Sequence, residues 1–271
     1  MPRLHPTAFR KSARLAGAVA FLAATAAPVA QAQDDGADQD GTDTVCQQYT
    51  YEKGLKFQQK SAVIDGLQRQ AFKLARMRLD DKLAEHGDRD DLAIVTDADE
   101  TLLDNTPLLV RDMRNCHKYE TWDTWGHWER AGTPELIPGA KAFLTYADKQ
   151  GVNIFYVSNR FGSNKAHTVE TLKELGLPQV SNATVKLWRE NYPKTKRRAE
   201  VRENHEIIML IGDSLADLHG DFEGSLADKR AAVAKHADKF GTDWIVLPNA
   251  TYGDWAGADL EAWDAPMKVA E

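Results

Sequence analysis

Four short apolar runs, separated by helical stretches, constrain the fold of this chain more than any other feature. The runs are LAIVTD (92–97), VNIFYVSN (152–159), EIIMLIGD (206–213) and DWIVLPN (243–249). The helical stretches are Ala140–Lys149, Ser163–Leu175 and about Phe222–Lys239. Strands that alternate with helices form a parallel sheet covered on both faces, so each strand is apolar throughout. The sequence predicts an α/β three-layer sandwich with a central, mainly parallel, Rossmann-like sheet.

Two segments stand outside this alternation. From Phe57 to His86 apolar residues recur every three or four positions, and Gly87 follows, so we expect one helix that ends there. The segment Asn105–Glu135 is polar and contains three of the seven tryptophans. We interpret it as a small helical cap over the sheet edge. The spacing of those tryptophans also fits a helix with an aromatic core stripe, and the sequence leaves both interpretations open.

The N-terminal 32 residues have the composition of a secretory signal peptide. Basic residues precede an uncharged run, Leu15–Ala30, and Ala30-Gln31-Ala32 fits the small-x-small cleavage rule. The run is shorter than the roughly 20 apolar residues of a membrane span. We therefore expect cleavage after Ala32 and a periplasmic or secreted protein without stable membrane insertion. Residues 33–45 are acidic and polar, which is typical of a disordered leader.

Charge and cysteine content restrict the partners of the mature protein. The net charge of -7 and the pI of about 5.7 give no general attraction to nucleic acid or anionic lipid. The two cysteines, Cys46 and Cys116, form a disulfide or remain separate buried thiols, and the sequence does not decide between these states. Neither has a His or Cys neighbour at metal-ligand spacing, which argues against a zinc site at the cysteines.

Polar residues follow each of the four predicted strands. They are Asp97 and Asp99 after the first strand, Ser158, Asn159 and Arg160 after the second, Asp213 and Ser214 with Asp217 after the third, and Asn249 after the fourth. The carboxyl ends of parallel strands meet at one edge of the sheet, where ligands bind. Carboxylates crowded there repel one another unless a cation lies between them. Oxygen ligands without Cys or His favour Mg²⁺ over zinc, so we expect Mg²⁺ as the cofactor.

These residues carry a resemblance to a known family. DADET matches the Asp-x-Asp-x-Thr signature of the haloacid dehalogenase superfamily. More closely, VTDADETLLDNTP, YVSNR, KTKRR, IGDSLADL and LPNATYGDW together resemble the bacterial class C acid phosphatases, the lipoprotein-type 5′-nucleotidases. The motifs span about Tyr49 to Trp255 in the family's order. The resemblance implies a haloacid dehalogenase-like phosphatase domain over 46–271, with an N-terminal helical segment (about 50–87) and a cap insertion (about 105–135). A lipobox before Cys46 is missing, so we expect no lipid anchor.

The resemblance also implies roles for the acids. Asp97 is the expected nucleophile, which forms an aspartyl-phosphate. Asp99 is the expected general acid for the leaving alcohol and then the base for water. Asp97, Asp213 and the backbone carbonyl of Asp99 hold Mg²⁺ in this scheme, and Asp217 supports them. The expected phosphate-binding residues are Thr101, Ser158, Asn159 and Lys194. Lys186 and Lys196 offer the same charge nearby, so the choice of lysine stays open.

Four aromatic residues suggest the class of substrate. They are Trp122, Trp125, Tyr252 and Trp255, from the cap and the last loop. Flat rings stack on nucleobases, although core packing explains them equally well. In the resembling family such rings hold nucleoside monophosphates. We therefore predict a Mg²⁺-dependent phosphomonoesterase that acts on nucleoside monophosphates. The alternatives are an acid phosphatase without nucleotide preference and, more remotely, a non-catalytic binding protein. The resemblance also allows a homodimer.

Overall fold

The computed structural model describes residues 51–87, 89–118 and 121–262. Its helices and strands, in chain order, are α1 (Glu52–Lys60), α2 (Ala62–His86), β1 (Leu92–Thr96), β2 (Leu103–Asp104), α3 (Thr106–Arg114), α4 (Asp123–Ala131), β3 (Glu135–Leu136), α5 (Ala140–Lys149), β4 (Asn153–Phe161), α6 (Lys165–Glu174), β5 (Val185–Trp188), α7 (Lys194–Arg202), β6 (Glu206–Gly212), α8 (Leu226–Lys235) and β7 (Trp244–Val246). Short 3-10 turns lie at Gly162–Asn164, Leu215–Asp217, Gly220–Phe222 and Ala237–Lys239.

The four predicted strands lie in one parallel sheet of the order β5-β4-β1-β6-β7. Strand β1 is central, with Ile94 opposite Ile154 on one side and Met209 on the other. Its side chains alternate between two apolar clusters, one under α2, α5 and α6 and the other under α7 and α8. This burial of both faces confirms the predicted three-layer α/β sandwich.

The helical segment before β1 differs from the prediction of one helix over Phe57–His86. It begins earlier, at Glu52, and it is divided into α1 and α2. The break lies at Ser61, whose backbone is extended and whose hydroxyl accepts a hydrogen bond from the Val63 amide at 3.2 Å. Serine caps helix N-termini in this way. The predicted end at Gly87 is confirmed: its φ is 68°, and its amide donates to Leu83 O at 3.0 Å.

Two elements that follow β4 in the chain, β5 and α7, are not predicted from the sequence. Strand β5 is four residues long and lies at the sheet edge, so its apolar signal is weak. Helix α7 is strongly basic, and the sequence predicts a role for Lys194 but no helix here; Arg197 and Arg198 are buried. Strand β7 covers Trp244–Val246 and is therefore shorter than the predicted run, 243–249.

The segment expected to form a cap contains two helices, α3 and α4. The antiparallel pair β2–β3, with Leu103 opposite Leu136, closes this segment at its base. Trp125 of α4 is buried in an apolar cluster with Leu55, Leu108, Leu109 and Met113. The cluster fixes the two helices against α1 and next to the end of the central strand.

The expectations for the N-terminus concern residues outside the described ranges. They are the signal peptide, the acidic leader and Cys46. Cys116, at the end of α3, is disulfide-bonded. Across the described part of the chain, no helix is both long enough and apolar enough to cross a membrane.

Candidate active site

The carboxyl ends of the three central strands bring the predicted acids together. Asp97 follows β1 directly, and its amide donates to Ile211 O of β6 at 2.9 Å. Ser158 lies near the end of β4, and Asp213 follows β6. Because the buried strands fix the backbone on both sides, Asp97 keeps its position while its side chain remains 8% exposed. A ligand can therefore reach a carboxylate whose position is set by the core.

Lys194 supplies the positive charge in this cluster. Its Nζ lies 2.7 Å from Asp97 Oδ1 and also contacts Asp217 Oδ1. Lys194 is the first residue of α7, where the chain leaves the extended Pro193, so its side chain points back over the sheet edge. All three side chains are less than one-tenth exposed. The two carboxylates raise the pKa of Lys194 despite its burial, so it stays protonated.

The other two candidate lysines lie elsewhere. Lys186 pairs with Glu200 at 3.1 Å, and Lys196 Nζ lies 5.8 Å from the ring of Tyr192. The geometry thus places Lys194, of the three, beside the acids.

Asp99 faces a separate set of donors. Arg160 Nε and Nη2 each lie 2.9 Å from Asp99 Oδ1, and Asn105 Nδ2 donates to the same oxygen at 2.9 Å. Ser158 Oγ donates to Oδ2 at 3.2 Å. The Arg160 side chain is 1% exposed, so this ion pair is screened little by solvent. The Asp99 carboxylate is therefore oriented by three side chains.

Three carboxylates offer a site for a divalent cation. Oxygens of Asp97, Asp213 and Asp217 lie within 4.8 Å of one another. Asp213 accepts from Thr101 Oγ1 at 3.0 Å and from Asn249 Nδ2 at 2.9 Å, which orients both of its oxygens. A Cβ at Gly212 would overlap the Asp217 side chain, so glycine is required for this close approach. The donor set, oxygen only, fits a hard divalent cation.

The raised pKa values of Asp97 and Asp213 show why a cation belongs at this site. Burial, opposed by Lys194, raises the pKa of Asp97 well above its usual range. Burial and the charge of Asp217 raise the pKa of Asp213 from 3.8 to about 6. One lysine does not balance three crowded acids, and a bound divalent cation would lower both pKa values again.

The remaining predicted phosphate-binding residues line the same edge of the sheet. Thr101 is fully buried beside Asp213. Asn159 is exposed, and its Oδ1 accepts from Arg197 Nη2 at 2.7 Å. Arg197 Nη1 also donates to the Ser158 carbonyl at 2.5 Å, so a buried guanidinium fixes the loop that ends β4.

Glu100 connects the acidic turn to the aromatic residues. It is 1% exposed and has a positive φ of 55°. The Tyr252 hydroxyl donates to its Oε2, and the Asn105 amide donates to Oε1 at 3.1 Å. Burial raises the pKa of Glu100 well above its usual range. Glu100 therefore attaches the last loop to the turn that carries Asp99.

Three of the four predicted aromatic residues form one group, the aromatic trio of Trp122, Trp125 and Tyr252. Their ring centroids are 5.4, 5.9 and 5.6 Å apart. Trp125 is 4% exposed, whereas Trp122 is 42% exposed and adopts a φ of 57°, which is uncommon for a bulky residue. Trp255 is 45% exposed and, among the described residues, makes no ring contact with the trio. The trio therefore combines a ring that is packed in the core with a ring that is partly exposed to solvent.

Comparison with known proteins identifies the family. The family model of the HAD superfamily, subfamily IIIB (acid phosphatase), matches residues 15–255. The chain belongs to this family. The class C acid phosphatase from Bacillus anthracis has a similar structure, with a TM-score of 0.74 and 31% sequence identity; the match covers 79% of this chain and 89% of that one. The same enzyme with tungstate bound gives a TM-score of 0.75 at 31% identity over 81% and 94% of the two chains. These findings confirm the predicted resemblance, and the protein is a class C type acid phosphatase, a phosphomonoester hydrolase.

Two residues at the centre of this acid phosphatase are absent from the predicted set of catalytic, metal-binding and phosphate-binding residues, namely Arg160 and Asn105. Arg160 is part of the YVSNR motif, which marks it as a candidate residue of the site. Its buried pair with Asp99 forms only because β4 and β1 are neighbours in the sheet, and the motif alone does not show this. The Asn105 side chain combines four contacts. Its Nδ2 donates to Asp99 and, at 3.4 Å, to Glu100 Oε2, and its Oδ1 accepts from Trp128 Nε1 at 2.7 Å and from Arg160 Nη2 at 3.4 Å. An asparagine just after an acidic turn usually indicates only a turn or a helix cap.

Proposed function

We propose that this acid phosphatase hydrolyses nucleoside monophosphates with Mg²⁺, through an aspartyl-phosphate formed on Asp97. The observation that carries the proposal is the position of Asp97, whose carboxylate contacts Lys194 and lies in one group with the carboxylates of Asp213 and Asp217. A phosphate group next to Asp97 is also next to the positive charge of Lys194. Such charge matters because phosphoryl transfer depends mainly on positioning and charge stabilisation.

The chain's own residues supply the two chemical steps. An Asp97 oxygen attacks phosphorus while the bond to the leaving oxygen breaks, and Asp99 gives that oxygen a proton. Asp99 then removes a proton from a water molecule, which attacks phosphorus and frees Asp97. Arg160, Asn105 and Ser158 hold Asp99 in the orientation that both steps need. Asp97, Asp213 and the Asp99 carbonyl would hold Mg²⁺, which neutralises phosphate charge when bound.

The residues that bind the phosphate group lie around Asp97. Lys194 neutralises charge, while Ser158, Thr101 and the Asn159 loop position the oxygens. The tungstate-bound structure of the Bacillus anthracis relative supports an oxyanion site in this fold. Asp217 supports Lys194 from behind: one of its oxygens contacts Nζ and the other accepts from the Ser214 amide at 3.0 Å.

The aromatic trio supports a nucleoside substrate. It lies next to the acidic turn, because the Tyr252 hydroxyl donates a hydrogen bond to Glu100, the residue after Asp99. Trp122 is 42% exposed and so is partly accessible to solvent. Trp125 Nε1 is buried without a hydrogen-bond partner among the described residues, and a nucleoside carries acceptors that could satisfy it. We assign base stacking to Trp122 and Tyr252, and we include Trp255 as an exposed ring of the same loop.

An acid phosphatase without nucleotide preference is the second candidate, favoured by the packing of Trp125 among apolar residues. The ratio of kcat/KM for AMP to that for a sugar phosphate distinguishes the two. A clear preference for AMP that Trp122→Ala removes supports base stacking. Equal values in the wild type contradict it.

The nucleophile and the metal are tested separately. Asp97→Asn is expected to lower kcat for p-nitrophenyl phosphate by at least about a thousandfold while the protein stays folded. Asp104→Asn is the matched control, since Asp104 only caps α3 through the Thr106 amide at 2.9 Å. Chelation of metal should stop the wild-type enzyme, and added Mg²⁺ should restore it. Turnover that survives thorough chelation contradicts the Mg²⁺ site.

We also propose that the protein is exported, as residues 1–32 indicate. The disulfide at Cys116 supports this, because disulfides persist in oxidising compartments. Mass analysis of the mature protein should give an N-terminus at Gln33. A full-length N-terminus would contradict cleavage after Ala32. Homodimer formation remains an expectation from the resemblance, to be tested by light scattering.

A further inference from the structure

A second group of metal-ligating side chains lies outside the active site. His219 and Asp221 belong to the turn around Gly220–Phe222, and His236 caps the end of α8. One donor atom from each of the three lies within 4.8 Å of the other two. The sequence gives little sign of this group, because His236 is fifteen residues from Asp221.

The distances between the donor atoms are close to those of a coordination shell. His219 Nδ1 lies 3.3 Å from Asp221 Oδ1, and His236 Nε2 lies 2.9 Å from Asp221 Oδ2. Zinc bonds of 2.0–2.2 Å in a tetrahedron separate neighbouring donors by about 3.3 Å. The two imidazoles thus already converge on opposite oxygens of one carboxylate.

Aromatic packing holds the two imidazoles in place. The ring centroids of His219 and His236 are 5.1 Å apart, and both rings pack on Trp244, at 6.0 and 5.2 Å. Phe222 packs against His236 at 6.1 Å. Ligands held by packing lose less freedom on binding a metal than ligands on a free loop. The side chains of His219 and Asp221 are 46% and 34% exposed, so an ion can enter from solvent.

Three existing contacts compete with a metal. The first is the hydrogen bond between His236 Nε2 and Asp221 Oδ2 at 2.9 Å, which a metal bound to both atoms would replace. Lys235 Nζ lies 2.6 Å from Asp221 Oδ2, but its side chain is 65% exposed and can leave at little cost. His219 Nδ1 accepts from the Asp221 amide at 3.1 Å, and a cation would displace this one bond or use the other ring nitrogen.

We propose that His219, Asp221 and His236 form a second metal site, which binds one Zn²⁺-class transition ion with water in the remaining position. Two imidazoles and one carboxylate suit Zn²⁺, Co²⁺ or Ni²⁺ rather than Mg²⁺. The ion joins the end of α8 to the turn that follows Asp217, so its effect is on stability. The proposal does not depend on the nucleotide specificity or on the catalytic steps.

The test measures Zn²⁺ binding to the full mature protein by calorimetry, with excess Mg²⁺ present to occupy the active-site carboxylates. One Zn²⁺ per chain should bind and raise the Tm. His219→Gln and His236→Gln should each weaken binding at least about tenfold, since even loss of a group that only supports a ligand costs 10–100-fold. His167→Gln is the matched control, because His167 is an exposed histidine on α6. Phosphatase activity in Mg²⁺ should be unchanged in His219→Gln, which shows that this variant is folded.

Co²⁺ provides a readout that needs no activity. Its visible absorption should indicate nitrogen and oxygen ligands in the wild type and in His167→Gln, and the band should be lost in His219→Gln. Unchanged Zn²⁺ binding in both His219→Gln and His236→Gln overturns the proposal. An equal loss in His167→Gln, or no Zn²⁺ binding to the wild type, overturns it as well. If His236→Gln fails to fold, His219→Gln and Asp221→Asn decide the question.

Discussion

Replacement of Asp213 by asparagine is predicted to stabilise the metal-free protein while it removes activity. Asp213 stands in a group of three crowded carboxylates, and its charge is unfavourable there without a cation. Asparagine has nearly the same shape. Its amide oxygen can still accept from Asn249, and its NH₂ group can donate to Thr101 Oγ1. The substitution therefore removes a charge, and the loss of the acceptor for the buried Thr101 hydroxyl offsets part of the gain.

The magnitude follows from the pKa. The folded value of about 6 lies above the ordinary value of 3.8, so the folded state binds the proton more tightly than the unfolded state does. Stability therefore falls as pH rises from about 4 to about 6, and the full cost is present above that range. At 1.36 kcal/mol per pH unit the cost is about 3 kcal/mol. Asp213 keeps some contact with solvent, so this figure is an upper limit.

The assay is urea unfolding of wild type and Asp213→Asn in chelator, at about pH 7.5 and about pH 4. The variant should be more stable by up to about 3 kcal/mol at the higher pH, and the gain should vanish at the lower pH. Mg²⁺ should stabilise the wild type but not the variant. Asp217→Asn is the contrasting variant: it loses a contact to Lys194 and should be destabilised by about 1–3 kcal/mol. Equal or lower stability of Asp213→Asn at the higher pH would refute the reasoning.

Three further substitutions test the site. Lys194→Met should lower kcat/KM by about 10²–10³-fold, whereas Lys186→Met should stay near the wild type, and similar losses in both would contradict the assignment of the lysine. Arg160→Lys loses the two-pronged contact with Asp99. It should lower kcat for alkyl phosphates more than kcat for p-nitrophenyl phosphate, whose leaving group needs no proton. Equal effects on the two substrates would count against Asp99 as the acid. Trp122→Ala should raise KM for AMP at least about fivefold, because stacking on a base contributes about 1–3 kcal/mol, and it should leave KM for a sugar phosphate, which has no aromatic ring, unchanged.

The parts of the fold that the sequence predicts are those with local and repeated signals. The runs that became β1, β4 and β6 are apolar on both faces, and each ends in polar residues at one edge of a parallel sheet. Asp97, Ser158 and Asp213 therefore converge as a consequence of topology, although they are far apart in the chain. The helical stretch predicted over Ala140–Lys149 has the same ends as α5.

The parts that the sequence does not predict depend on contacts between distant segments. A run as basic as Lys194–Arg202 indicates a solvated surface, and its burial requires the carbonyls of Ser158 and Ala216 as acceptors for Arg197 and Arg198. The orientation of Asp99 depends in the same way on Arg160 from a neighbouring strand. Buried charges of this kind are stable only where tertiary structure supplies their partners.

Trapping of the phosphorylated residue tests the central claim most directly. The enzyme is mixed with p-nitrophenyl phosphate, quenched in acid during turnover, reduced with borohydride and digested for mass spectrometry. An aspartyl-phosphate is reduced to homoserine, whereas a free carboxylate is not. Homoserine is expected at position 97, and its yield should rise in Asp99→Asn, because loss of the base slows hydrolysis of the intermediate more than its formation. An unmodified Asp97 in both proteins, or homoserine at position 99 or 213, would contradict the account.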